Sequence, residues 1–184
     1  MVDHERFVHV MFQIDANRVN SRSALANMNQ LEAWRRSDVI LLNMSQVAQE
    51  EAKAGGDPRR SRKATSYIFS ITHASTSSDR DGLRAIERAL FPNGAANSNE
   101  RNDVEVVFNA QKYGAILVTN DGASKAQPGG ILGNRAALAR LGITVMTDAE
   151  AVDLVRTKIA DRDERARRSA ESEGRPVPAW VGVD

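Results

Sequence analysis

Two stretches of the chain lead an apolar run straight into a carboxylate: Phe12-Gln13-Ile14-Asp15, and Ala115-Ile116-Leu117-Val118-Thr119-Asn120-Asp121. Two further acids lie between them, Glu50 or Glu51 in one helix-like stretch and Asp103 near the start of another. In open α/β sheets the crevice beyond the carboxyl ends of the strands is where ligands bind, so acids delivered there can meet in one pocket. Two carboxylates about 4 Å apart repel by roughly 4 kcal/mol at an effective dielectric near 20. They stay ionised together only with a cation between them or with their pKa values driven apart. The chemistry this points to is that of a bound metal ion.

The elements that must position these acids follow from apolar periodicity. Residues 8–14, apolar apart from His9 and Gln13, predict a buried first strand ending at Asp15. Ser21 or Ser23 is placed to cap a helix carrying Leu25, Met28, Leu31 and Trp34 along one side and ending at Arg35-Arg36. Residues 39–42 predict a second strand, and Ser45 a cap for a helix through Glu50 and Glu51 that Gly55-Gly56 stops. Residues 67–71 suit a helix end or a strand. Asp79 or Asp81 opens an amphipathic helix through Leu83, Ile86 and Leu90. The next helix starts between Glu100 and Asp103, puts Asp103 in its first turn, and ends at Tyr113-Gly114 ahead of a strand over residues 115–118. A helix over residues 134–141, a strand over 143–146 and a helix from Asp148 complete the alternation. Strands separated by helices imply a three-layer α/β/α fold with a mostly parallel central sheet. Residues 1–160 are expected to form that domain, and residues 161–184 a charged helical extension with a tail whose Trp180 anchors onto the body or a partner.

The 184 residues suffice for one well-buried core, and with no cysteine there is neither thiol chemistry nor a disulfide. A net charge of +1 exerts no strong pull on nucleic acid or membrane, although Arg59-Arg60-Ser61-Arg62-Lys63 is a compact basic run. Nowhere are there about 18 consecutive apolar residues, so a soluble cytoplasmic protein without a membrane segment is expected. His4, His9 and His73 lack metal-ligand spacing, and Gly129-Gly130 with Gly133 form no phosphate-binding fingerprint. Taken singly, Asp15 or Asp121 is a helix cap, Asp103 a first-turn acid and each glutamate a surface residue. Their order and spacing together say more.

That order resembles the PIN domain, a metal-dependent nuclease family. The matching stretches are Phe12 through Asn17, Met44 through Ala52, Asn102-Asp103-Val104 with Ala110, and Ala115 through Asp121, within residues 7–160. The resemblance implies that Asp15, Glu51, Asp103 and Asp121 hold Mg²⁺ or Mn²⁺ and hydrolyse RNA phosphodiesters to 5′-phosphate products. Glu50 is the alternative to Glu51. It also implies that Asn17 and Thr119 support the carboxylates by hydrogen bonds, with Asn120 and Ser124 as weaker candidates for the same work. Arg18, Arg101 and Lys125 are candidate phosphate contacts, as is the basic run. Implied partners are an RNA substrate, an inhibitor or antitoxin protein, and a second copy of the chain. Departures from the family pattern are Arg18 in place of an apolar residue, the lack of a further acid in Gly122-Ala123-Ser124-Lys125, and a greater length than the compact toxin members. Two other functions compete: a PIN-like module that binds RNA or protein without chemistry, and a phosphatase with Asp15 as nucleophile. Against the second, Asn17 stands where such an enzyme needs an acid.

Overall fold

The core is built outward from β1, Met11–Ile14. In the computed structural model, which describes residues 6–71, 73–122 and 129–184, Phe12, Gln13 and Ile14 are fully buried. Successive side chains of a strand point to opposite faces, so helices must cover both sides of β1. Gln13 shows which helix covers its side, because its Nε2 donates to the carbonyl of Val106 at 2.8 Å on α5, Ser98–Tyr113.

Beside β1 lies β2, Leu41–Ser45, with Phe12 opposite Leu42 and Ile14 opposite Met44. On its other side lies β4, Ile116–Val118, with Ile14 opposite Val118. The edges are β3, Ile68–Ser70, next to β2, and β5, Val145–Met146, next to β4. The order is β3-β2-β1-β4-β5, parallel throughout. The chain leaves β1 toward β2 and β3, then crosses back to β4 and β5, so the order reverses between β1 and β4. Helix α1, Ala26–Arg36, packs on α8, Asp148–Glu173, while α5 packs on α2, Gln46–Ala54, and on α4, Ser77–Leu90. Helix α3, Pro58–Thr65, follows α2, and the short helices α6, Gly130–Gly133, and α7, Arg135–Ala139, join β4 to β5.

The expected α/β fold with helices around a parallel sheet is the one observed, and several boundaries differ for identifiable reasons. β1 begins only at Met11 because His9 adopts φ 55°, outside extended backbone, although Val8 still donates to the Val39 carbonyl. β2 lies two to three residues later than expected, since its ladder with β1 begins at Leu41 opposite Met11 and residues Asn43 through Ser45 pair with β3. Neither Ser21 nor Ser23 caps α1; Ser23 has φ 53°, and Asn20 Oδ1 accepts from Leu25 N instead. Thr76 rather than Asp79 or Asp81 caps α4, with Asp79 completing the capping box. The basic run, unassigned in the sequence, is helical because Asp57 caps α3 with Pro58 at its first position. Within residues 134–141 the helix is α7, shorter than expected at Arg135–Ala139, and Asn134 separates it from the additional short helix α6 just before it. The tail after α8 folds back on the body: Trp180 is buried beneath the Arg162 guanidinium at 4.6 Å, and Asp184 accepts from Arg6 and Arg162.

Candidate metal centre at the carboxyl edge of the sheet

The reversal of strand order puts the crevice between the ends of β1 and β4, and the chain places a carboxylate at each. Asp15 directly follows β1, its backbone N–H still donating to the Val118 carbonyl at 3.0 Å. Asp121 follows β4 by three residues. Ser45 ends β2 and caps α2 through Ala48 N at 3.1 Å, which turns the chain so that α2 carries Glu51 over the same crevice. Asn97 caps α5 through Glu100 N at 3.0 Å, and Asp103 follows on the second turn, one turn later than expected. Asp15, Glu51, Asp103 and Asp121 line a single cavity of about 180 Å³ together with Asn17, Arg60 and Asn99.

Asp15 is held rigidly. Its Oδ1 accepts from Ala16 N at 2.6 Å, and its Oδ2 accepts from Asn17 Nδ2 and Thr119 Oγ1, each at 2.6 Å. Thr119 Oγ1 in turn accepts from Asp121 N at 3.0 Å, so one hydroxyl ties the ends of β1 and β4 together. Asn17, whose Nδ2 donates to Asp15 Oδ2, stands where a phosphatase using Asp15 as nucleophile needs an acid, which counts against that alternative. Asp121 Oδ2 accepts from Ile131 N at 2.8 Å. Gly130 makes this possible: at φ 41° any Cβ would meet the Gly122 backbone and lie 2.7 Å from Asp121 Oδ2. Gly130→Ala is therefore expected to cost about 1–3 kcal/mol of stability, measured by urea melt, and to move Asp121 out of the cavity.

Glu51 and Asp103 make no hydrogen bond among the described residues, yet both feel the other acids. Burial pushes the Asp103 carboxyl up to about 7, with Asp121, Asp15, Glu51 and Glu100 adding to the rise in that order. Burial also raises Glu51, as does Asp15, while Arg60 opposes. Asp15 is raised by burial against the pull of its hydrogen bonds to Thr119 and Ala16. Among the described residues no three acidic or histidine side chains already stand as a metal-binding cluster. The donor set nevertheless fits a hard divalent ion: oxygen ligands only, Asp15 and Asp121 anchored by hydrogen bonds, Glu51 and Asp103 free to swing inward, and mutual repulsion that a cation would relieve.

The glutamate facing the cavity is Glu51; Glu50 accepts from Gln46 Nε2 at 2.7 Å on the exposed side of α2. Asn17 Nδ2 and Thr119 Oγ1 both donate to Asp15 Oδ2. Asn120 donates its backbone N–H to Asn17 Oδ1 at 3.1 Å, and among the described residues its side chain makes no hydrogen bond. Ser124 and Lys125 lie outside the described residues. Arg18 is taken up by Asp148 at 3.2 Å, and Arg101 is exposed and does not line the cavity. Arg60, in the basic run, does line it, docked by its Nη2 on the Ala16 carbonyl at 2.9 Å. Asn99 was missed by sequence reasoning; standing four residues before Asp103 on α5, it shares that residue's helix face, which was the available signal.

No protein-family model matches the chain, and no curated protein matches it by sequence. Among solved structures the chain is similar to VapBC2 from Rickettsia felis, bound to a DNA fragment from its promoter. The identity is 15%, the TM-score 0.47, and the match covers 75% of this chain and 98% of that one.

Proposed function

We propose that the chain is a divalent-metal-dependent ribonuclease of the PIN type. The observation that carries this is the convergence of four carboxylates from four separate segments on one cavity at the reversal of strand order. Asp15, Glu51, Asp103 and Asp121 would hold Mg²⁺ or Mn²⁺. A bound ion of this kind supplies an acidified water and charge stabilisation for phosphodiester hydrolysis. Asp15 fixes the position of the centre through its three hydrogen bonds. Glu51 and Asp103, without hydrogen bonds among the described residues, adjust to the ligand, and Thr119 keeps the strand ends in register. Arg60 presents a cation at the same cavity, where an RNA phosphate would meet it.

The partners follow from that activity as proposals: single-stranded or structured RNA, a protein inhibitor such as an antitoxin, and a second copy of the chain. A cytoplasmic location is proposed with them. Among the described residues no helix is long and apolar enough to cross a membrane. The absence of a ready three-ligand cluster among the described residues favours one competing reading, a PIN-like module that binds RNA or protein without cutting. Incubation with 5′-labelled single-stranded RNA separates the two. Cleavage to 5′-phosphate ends in Mg²⁺ or Mn²⁺, abolished by EDTA, is expected; intact RNA under all conditions supports the binding module, and cleavage undiminished by EDTA refutes a metal centre.

A further inference from the structure

The opposite end of the sheet has its own cavity, of about 270 Å³, where the tail after α8 folds back on the segment leading into β1. Its walls are the rings of Phe7, His9, Pro178 and Trp180, and Arg165 and Arg175 stand in its lining. Phe7 and His9 meet edge to face with ring centres 5.0 Å apart. His9 is held there at φ 55°, a left-handed conformation that persists where the surroundings over-determine it. Trp180 is buried, and its indole N–H has no acceptor among the described residues. Arg162, stacked on Trp180, is neutralised by Asp163 and Asp184 and serves as scaffold. Arg175 is paired with Glu173 at 2.7 Å. Arg165 is exposed and has no acidic partner among the described residues. Among the described residues no carboxylate belongs to the lining.

The cavity thus offers ring surfaces for a flat apolar group, a spare cation for an anion, and no competing acid. Its volume lies at the lower end of small-ligand cavities, about 300 Å³, which suits one compact ligand better than a length of peptide. We propose that this cavity binds a nucleoside phosphate, with the base against the ring walls and the phosphate on Arg165. The nucleotide is either free or the terminal residue of an RNA chain. Arginine suits the role because its planar fork matches phosphate oxygens and stacks on rings.

The chain has two tryptophans, Trp34 in the core and Trp180 here, so their two indole N–H signals report the site by NMR. Titration of the full chain with AMP in EDTA is expected to move the Trp180 signal and leave that of Trp34 in place. Adenosine and inorganic phosphate should each bind at least about tenfold more weakly, and Arg165→Glu should weaken AMP by at least about tenfold. Tighter binding of 5′-phosphorylated ApA than of AMP supports the chain-end form, and equal binding the free nucleotide. The proposal is overturned if the Trp180 signal stays still up to about 10 mM AMP. It is equally overturned if Arg165→Glu binds AMP unchanged, if Asp121→Asn abolishes the effect, or if an acidic peptide moves the signal where AMP does not. EDTA keeps the titration independent of the metal centre.

Discussion

Asp103→Asn is expected to lower metal-dependent RNA cleavage at least about 100-fold and, in the same protein, to raise the thermal midpoint measured in EDTA at pH 8. The first effect follows from removing one of four oxygen ligands; a loss of about 2.7 kcal/mol of transition-state stabilisation is a factor of 100. The second follows from the state of the carboxyl before any ion arrives. Burial and the acids around it push Asp103 up to about 7, whereas the unfolded chain holds it near its ordinary value of 3.8. Folding at pH 8 therefore forces an ionised carboxylate into a half-buried, already negative cavity. The asparagine amide would carry no charge there, and with no hydrogen bond to Asp103 among the described residues nothing else is lost. Discounted for partial exposure, the gain is about 2 kcal/mol, or about 4–8 °C in a domain of this size. A residue kept for structure would behave oppositely: the variant would melt lower, and activity would fall only as far as folding does. Wild-type activity in a more stable variant would remove Asp103 from the centre.

The pH dependence of stability should invert when a divalent ion is added. Asp103, Glu51 and Asp15 are all raised above their ordinary values, chiefly by burial. A raised carboxyl favours folding while protonated, so its contribution is fully present below the unfolded value and is lost as pH climbs through the folded one. The metal-free protein should lose stability from about pH 4 to about pH 7, the range between the ordinary aspartate value of 3.8 and that of Asp103. Acids elsewhere act the other way and only at lower pH: Asp79, bound by Lys112 and the Thr76 N–H, and Glu150, bound by the Thr147 N–H and Arg135, are held low and weaken the fold as they protonate. With Mn²⁺ the site must shed its protons to bind, so stabilisation grows with pH across the window where the free protein declines. At a concentration about 100 times Kd it amounts to about 2.7 kcal/mol, or about 5–10 °C. Differential scanning calorimetry from pH 5 to 8, with and without Mn²⁺, shows whether the two curves diverge in this way. Parallel curves would mean that these carboxylates do not share an ion.

Much of the scaffold was legible because local chemistry and tertiary packing agree there. Ser45 looks like a helix cap and is one; Gly114 looks like a helix stop and has φ 62°. The apolar runs around Phe12 and Leu117 read as buried strands because helices cover both faces of a parallel sheet. Boundaries failed where a residue acts against its type. His9 in a left-handed conformation cuts β1 short, and α1 starts without a side-chain cap, Asn20 Oδ1 holding the Leu25 N–H just before it. The edge strand β3 was ambiguous because Ile68 and Phe69 are exposed on a segment of three residues, too short to show a period. In the cavity, Asp15 and Asp121 were visible as carboxylates just past strand ends, and Glu51 and Asp103 only as acids within helices. Arg60 and Asn99 were harder to place, because their relevance depends on where α3 and α5 begin, and those starts are decided by Asp57 and Asn97. No pattern along the chain brings the Arg165 cavity into view, since it exists only once the tail has folded back onto Phe7 and His9.

The convergence of the acids is tested most directly by anomalous diffraction from crystals grown or soaked with Mn²⁺ near pH 8. One or two manganese peaks in the Asp15 cavity, at about 2.0–2.4 Å from carboxylate oxygens of Asp15, Asp121, Glu51 and Asp103, are expected. Glu51 and Asp103 should have swung inward, and Glu50 should remain on Gln46. Manganese absent from this cavity, or bound there with Asp103 turned away, would contradict a four-carboxylate centre.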